Sequence, residues 1–336
     1  MLQWDNCPSL KQCDIFDYYS PEQFYFINKL IIDWTKKHYD KEKRFFFINS
    51  WNNWYKGSYL EPDRKYGYAS INSLSKAIFN LTYIEIFNLN NLNSNSKIAI
   101  QVHLFYEDLL INDIINITNE IPVKFDLYIS VCSQNVKEII EKKIYKNSKA
   151  NFFEIKIVSN KGRDALPFLI QMKKVYHKYK YICHIHSKKS LHSEFGNEWR
   201  NYLYFNLLGS NQVITEILTE FEKYDKLGLI FPESFYKVLT NFGKNIRDAN
   251  IKYMNFIIKN ISPKYRVSEN YFDFPEGNMF WAKTEAIYQI FEMDIKKRFS
   301  KENGKLDITI MHGIERIWTF LAKINGFVYK KVFKHI

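Results

Sequence analysis

Cysteine is scarce in this chain: Cys7, Cys13, Cys132 and Cys183 are the only four in 336 residues. None falls in a CxxC or Cys/His spacing, so structural zinc is not suggested, and a disulfide scaffold does not suit this length. The expected setting is reducing and cytoplasmic. Long apolar runs are also missing. Nothing approaches the roughly eighteen uninterrupted apolar residues that span a bilayer. The first residues, MLQWDNCPSLKQCD, lack a basic head followed by an apolar stretch and do not read as a signal peptide. The expectation is a soluble protein that at most rests on the inner face of a membrane as a peripheral contact. Arginine-rich stripes are absent as well. The net charge of +12 is mostly lysine spread along the chain, which reads as solvated surface and not as a nucleic-acid footprint. Such a balance suits an anionic partner, for example a phosphorylated substrate.

What is present points to globular structure. Hydrophobic residues make up 46% and charged residues 25%, which excludes disorder and supplies a sizeable core. The Asn- and Ser-rich stretch NLNNLNSNSK (88–97) reads as a linker, dividing the chain into 1–90, a connection at 91–97, and 98–336. Before it, RFFFINSWNNW (44–54) reads as a buried strand and YGYASINSLSKAIFNLTYIEIF (66–87) as a helix. After it, strands over 97–106, 125–132, 152–160 and 181–186 alternate with helices over 107–121, 133–146 and 165–180, with Ser133 placed to cap the second helix. That alternation predicts an α/β fold, an open and mostly parallel sheet with crossover helices. Ligands of such sheets bind beyond the carboxyl ends of the strands.

Two charged turns stand at predicted carboxyl ends. Asn160, Lys161, Gly162, Arg163 and Asp164 form a strand-to-helix turn. Gly162 permits a sharp bend, the following helix offers free N–H groups to an anion, and Arg163 adds a planar fork for phosphate. Asp164 could orient that fork or accept from a sugar or base hydroxyl; as a bland alternative it simply caps the helix. His184 and His186, two apart on a strand, point to one face, and Ser187, Lys188 and Lys189 follow at once. Two imidazoles can share a metal or donate to phosphate oxygens. Magnesium and manganese favour oxygen ligands, so direct phosphate binding is preferred, no metal ligands are assigned, and a divalent cation (Mg or Mn) stays optional. In PEGNMFWAK (275–283), Gly277, Asn278 and Trp281 could line an acceptor or sugar pocket, or make an ordinary turn into a core strand. On the helix predicted over 310–327, His312 and Glu315 share a face. Glu315 could act as a general base with His312 beside it; a solvated Glu–Arg surface is the default.

Several ordered segments resemble the rhamnan synthesis protein F family: VHLFYEDLL (102–110), FDLYISV (125–131), NKGRDALPFL (160–169), HIHSKKS (184–190), LGLIFPE (227–233), GNMFWAK (277–283) and HGIERIW (312–318). The resemblance implies a glycosyltransferase of cell-surface polysaccharide or lipopolysaccharide O-antigen assembly, associated with rhamnose. The layout also looks like a GT-A, Rossmann-like glycosyltransferase with helices on both sheet faces. There an Asp-x-Asp pair would hold a metal on the nucleotide diphosphate, and His184-Ile185-His186 stands in its place. Imidazoles and lysines would then neutralise the leaving diphosphate directly. An inverting member would place a late carboxylate as base, matched here by Glu315, with Asp307 the second choice. Residues 45–78, with Trp4–Asn6 and 20–24, resemble the C-terminal end of the WbsX-like family of glycan-active barrels. Asn53 and Lys56 stand where that family has acids, so this smaller segment, similar to the end of a TIM barrel, is expected to have no catalysis of its own. The implied partners are a nucleotide-diphosphate sugar and a lipid-linked or polysaccharide acceptor. The other class of reading is a non-catalytic glycan- or phosphate-binding module of an assembly complex.

Overall fold

The computed structural model describes residues 4–5, 15–16, 19–64, 67–79, 98–105, 110–187, 195–235, 237–238, 250–268, 272–294 and 308–333. The chain forms two compact units, one of residues 1–86 with 333–335, the other of residues 87–332. The predicted linker lies outside the described residues.

In the first unit, β1 (Trp4–Asp5) pairs antiparallel with β2 (Ile15–Phe16). Helix α1 (Pro21–His38) starts where Ser20 accepts from the Gln23 amide, with Pro21 in the first turn. It ends at Tyr39, where Arg44 donates to the carbonyls of Lys36 and Tyr39. The hairpin of β3 (Asn52–Asn53) and β4 (Ser58–Tyr59) turns through Gly57 in the left-handed region, and α2 (Ala69–Phe79) follows. Phe24 and Leu60, flanked by Tyr19, Ile48, Ile71 and Leu74, form a small core. The buried strand expected over 44–54 does not form. Phe45 is 70% and Phe47 90% exposed, because asparagines interrupt the run and the core is too small to cover it. All described strands of this unit are two residues long and antiparallel.

Among the described residues the second unit is built on seven strands: β5 (Ile98–Leu104), β6 (Phe125–Val131), β7 (Phe152–Ile157), β8 (Tyr181–His186), β9 (Leu227–Pro232), β10 (Phe280–Lys283) and β11 (Val328–Val332). Their order is β11-β9-β10-β8-β5-β6-β7. Every pairing is parallel except those of β10, which runs antiparallel to both neighbours. The helices are α3 (Leu110–Asn119), α4 (Gln134–Asn147), α5 (Ala165–Met172), α6 (Gly196–Leu208), α7 (Asn211–Lys223), α8 (Ile251–Ile261), the single turns α9 (Thr284–Ile287) and α10 (Gln289–Glu292), and α11 (Ile310–Ile324). Ser133 caps α4 as expected, accepting from the Val136 amide, and Val136, Ile140 and Ile144 make its buried stripe. The helix expected over 165–180 is cut at Met172. Beyond it, Lys173 donates to the Met293 carbonyl, while Tyr176 stacks on Phe291 and donates to Glu292; these ties outweigh continued helix.

Both sheet faces are covered. Phe168 of α5 and Trp318 of α11 pack on Phe280 and His184. On the opposite face Phe221 of α7 stacks on Tyr181, and the Trp281 indole donates to Leu207 of α6. Helices α8 and α11 cross at Gly313, where a Cβ would stand 2.7 Å from that of Tyr253. The chain passes from β5 to β6 and β7 on one side, then returns to β8 on the other side of β5. The order therefore reverses between β5 and β8, where a doubly wound sheet opens a crevice at its carboxyl edge. No described helix is long and apolar enough to cross a membrane.

Candidate functional site at the carboxyl edge of the sheet

After β7 the chain turns through Gly162 (φ 67°) and Arg163 (φ 49°), both left-handed. Asp164 then opens α5, yet its side chain makes no capping bond. The carboxylate turns instead toward β8. Its Oδ2 accepts from Asn278 Nδ2 at 2.5 Å and lies 3.4 Å from His184 Nε2 and 3.8 Å from His186 Nε2. Burial pushes the Asp164 carboxyl up, but the two imidazoles and the Asn278 amide outweigh it and hold the group well below the usual range. It is an anion at neutral pH.

The histidines share a sheet face, as their spacing requires, with ring centres 6.1 Å apart. His184 is completely buried, stacked 4.2 Å from the Phe168 ring. Its Nδ1 bonds Gln101 Oε1 at 2.7 Å, which puts a proton on Nδ1 and turns Nε2 toward Asp164 and Asn278. Gln101 donates to Gln171 Oε1 and Ser130 Oγ, and Gln171 donates to Glu154 and to the Ile129 carbonyl. Parallel register sets Gln101 beside His184 and His103 beside His186. His103 is buried and bonded to Ser130 Oγ. Burial lowers its pKa to about 4 against the opposing pull of Asp164, with His186 and His184 adding to the lowering. His186 keeps 12% of its side chain exposed and donates from Nε2 to the Gly277 carbonyl at 2.7 Å.

The remaining wall comes from the turn before β10 and from the start of α11. Gly277 (φ 85°) and Asn278 (φ 54°) both adopt left-handed backbone, tolerable for glycine and asparagine. Asn278 is a bridge: its amide nitrogen serves Asp164 and its oxygen accepts from Trp318 Nε1 at 2.7 Å. Glu315 accepts the Gly277 amide on Oε1 at 2.8 Å, and Arg316 faces Oε2 at 3.4 Å. Arg163 donates from Nη1 to His312 Nε2 at 3.2 Å, so His312 donates through Nδ1 to Thr309 Oγ1. Three strand ends and one helix thus meet around Arg163, Asp164, His184, His186, Gly277, Asn278, His312 and Glu315.

Other expected residues fall elsewhere. Trp281 is fully buried against α6, because alternation along β10 turns it to the sheet face opposite Phe280. Ser187 is 3% exposed and ties β8 to β5, its amide donating to the His103 carbonyl and its Oγ accepting from the Phe105 amide. Asn160 is exposed and makes the bend that precedes Gly162. The default of a solvated Glu315–Arg316 surface does not hold, since Arg316 is 6% exposed and Glu315 grips the Gly277 turn. Asp164 as a plain helix cap does not hold either. Lys188, Lys189 and Asp307 lie outside the described residues. Gln101, His103 and Gln171 were not foreseen, although QVH (101–103) repeats the two-residue spacing of HIH (184–186) on the neighbouring strand.

A mostly parallel sheet covered by helices on both faces defines a doubly wound α/β protein. The chain belongs to the rhamnan synthesis protein F family, whose model matches residues 2–327, the first unit included. It is 28% identical over 277 residues to uncharacterized protein WxcX of Xanthomonas campestris pv. campestris strain B100, covering 81% of this chain and 37% of that one. The protein of the same name in strain ATCC 33913 matches equally. The chain therefore spans little more than a third of the length of these curated relatives. Its family is one of rhamnan, hence polysaccharide, synthesis.

Proposed function

We propose that the second unit is a GT-A-like glycosyltransferase domain. It would move a sugar, with rhamnose suggested by the family, from a nucleotide-diphosphate sugar to a hydroxyl of a surface polysaccharide or O-antigen precursor. The observation that supports this reading is the linked set at the switch point of the sheet, where His184 and His186 flank the ionised Asp164 and Arg163, on the same turn as Asp164, bonds His312. In the transfer, an acceptor oxygen bonds to the anomeric carbon while the bond from that carbon to the diphosphate breaks, and the acceptor hydroxyl's proton passes to solvent. The diphosphate leaves with the electron pair, and fixed cations at the crevice stabilise the growing charge. Arg163 would serve as such a cation and His186 as a positioned N–H donor, joined by Lys188 and Lys189, which follow His186 in sequence. His184 and Asp164 hold His186 in register, and Asp164 stands where a sugar or nucleoside hydroxyl can donate to it.

The donor set does not fit magnesium or manganese. Its carboxylates are already engaged, Asp164 by Asn278 and the flanking imidazoles and Glu315 by the Gly277 amide and Arg316, and His186 Nε2 carries a proton toward Gly277. No step is routed through an ion. Glu315 is engaged at both oxygens, so we assign it to holding the Gly277 turn. That engagement also favours the second reading, a non-catalytic phosphate- or glycan-binding module.

The test is calorimetric titration with a panel of nucleotide-diphosphate sugars, followed by a transfer assay with any that bind. At least one donor should bind, and Arg163→Ala should weaken it about tenfold or more, as expected for loss of a charge-assisted contact. Absence of binding by every donor at millimolar concentration sinks the reading. Binding without transfer or hydrolysis supports the module.

A further inference from the structure

The described residues also carry an apolar stripe that the site does not use. Exposed large hydrophobic residues are common singly, but seven of the twenty-one found exposed here crowd into residues 27–47: Ile27, Leu30, Ile31, Trp34, Tyr39, Phe45 and Phe47. Helical geometry explains the first four. Phe24, Asn28, Ile32 and Thr35 make the buried face of α1. Positions 27, 30, 31 and 34 recur at three- and four-residue spacing and form a second stripe beside it, facing outward. Leu30 is 48% and Trp34 54% exposed. Trp34 stacks on His38 with 4.5 Å between ring centres and meets Tyr39 edge-on. Arg44, by bonding the Lys36 and Tyr39 carbonyls, folds the chain back onto the helix end and brings Phe45 and Phe47 after it.

The charge around this stripe is net positive. Residues 36–44 hold Lys36, Lys37, Lys41, Lys43 and Arg44 against Asp40 and Glu42, all of them exposed. On the helix itself Asp33 is tied to Lys29 at 2.6 Å. Apolar and aromatic side chains bordered by lysine, on a helix lying along the surface, match the chemistry of a bilayer interface. There the rings and aliphatic chains enter the headgroup boundary and the lysines meet lipid phosphates. We propose that the α1 face and the 39–47 segment dock this protein on an anionic membrane surface. The proposal stands independently of the glycosyltransferase reading, because it uses no residue of the carboxyl-edge site.

The experiment is co-sedimentation of the full chain with phosphatidylcholine vesicles and with vesicles containing phosphatidylglycerol, at low and raised salt. The protein should pellet with the anionic vesicles, less so at high salt, and only weakly with neutral ones. Leu30→Ser with Trp34→Ser should abolish pelleting. Lys41→Glu with Lys43→Glu should weaken it by more than tenfold, since each basic group near such a surface is worth about fivefold. Far-UV circular dichroism checks that these exposed-site variants stay folded. Failure to pellet with either vesicle type overturns the proposal, as does pelleting that both variants leave unchanged. So would a concentration-dependent dimer in sedimentation velocity that the Leu30/Trp34 variant dissolves, because a second copy would then be the occupant.

Discussion

At Asp164 burial and electrostatics pull in opposite directions, and the imidazoles win. The consequence extends to His103, two strands from the turn that carries Asp164. Its folded pKa of about 4 lies below the ordinary value of 6.5, so the native state prefers it neutral. Its contribution to stability is complete above pH 6.5 and is lost as pH falls toward 4, because the unfolded chain takes up the proton first. Asp164, also lowered, acts in the same direction at more acid pH: its contribution is present above the unfolded carboxylate value and fades below it. We therefore expect the unfolding free energy from urea titration to drop between pH 6.5 and 4, by about 3 kcal/mol from His103. His103→Gln should flatten that part of the curve, and equal slopes in both proteins would refute the assignment. The paired histidines and the Arg–Asp turn were legible in the sequence because two-residue spacing on a strand fixes a common face. Which neighbour each side chain chose was not. The departure of Asp164 from its cap depends on Asn278, 114 residues away, and no local pattern encodes that.

Among the elements, α11 does the most to shape the site, and its two faces make separable predictions. Glu315 holds the Gly277 amide through an oxygen that a glutamine amide also possesses. Glu315→Gln should keep most of the activity in a transfer assay, whereas Glu315→Ala should lose the turn and at least about tenfold in rate. If the Gln variant is as dead as the Ala variant, Glu315 is the proton acceptor after all. On the opposite side, Gly313 lets α8 approach. Gly313→Ala forces a methyl to within 2.7 Å of Tyr253 Cβ and should cost about 1–3 kcal/mol by thermal unfolding, the usual range for overpacking. An unchanged melting temperature would show that the crossing has slack. The helix itself was visible in the apolar periodicity of 310–327. Its charged pair was misjudged as solvated because Arg316 has aliphatic length and lies over the Phe274 ring, 5.0 Å from its centre.

At the scale of the whole molecule the two units bury very different amounts of apolar surface among the described residues. A small core in the first centres on Phe24 and Leu60, while the second fills both sheet faces, the one that carries Phe168, Phe280 and Trp318 and the one that carries Tyr181 and Trp281. Buried apolar area sets most of the stability, so differential scanning calorimetry should resolve two transitions, the smaller unit melting first. A bound nucleotide-diphosphate sugar should raise only the upper transition, by mass action on the state that binds it. A single transition moved as a whole would contradict this. The sheet was readable from strand–helix alternation over 97–186, where every element is local. The first unit was not, since its aromatic run imitates a core strand while remaining in solvent.

One reversed strand has a further effect. Because β10 runs against its neighbours, it begins where they finish, and the segment leading into it is delivered to the rim of the crevice. Gly277 and Asn278, shortly before β10, are thereby set against His186 and Asp164 at the finishing ends of the parallel strands. One reversal of direction thus lets a turn late in the sequence close on residues 91 and 114 positions earlier.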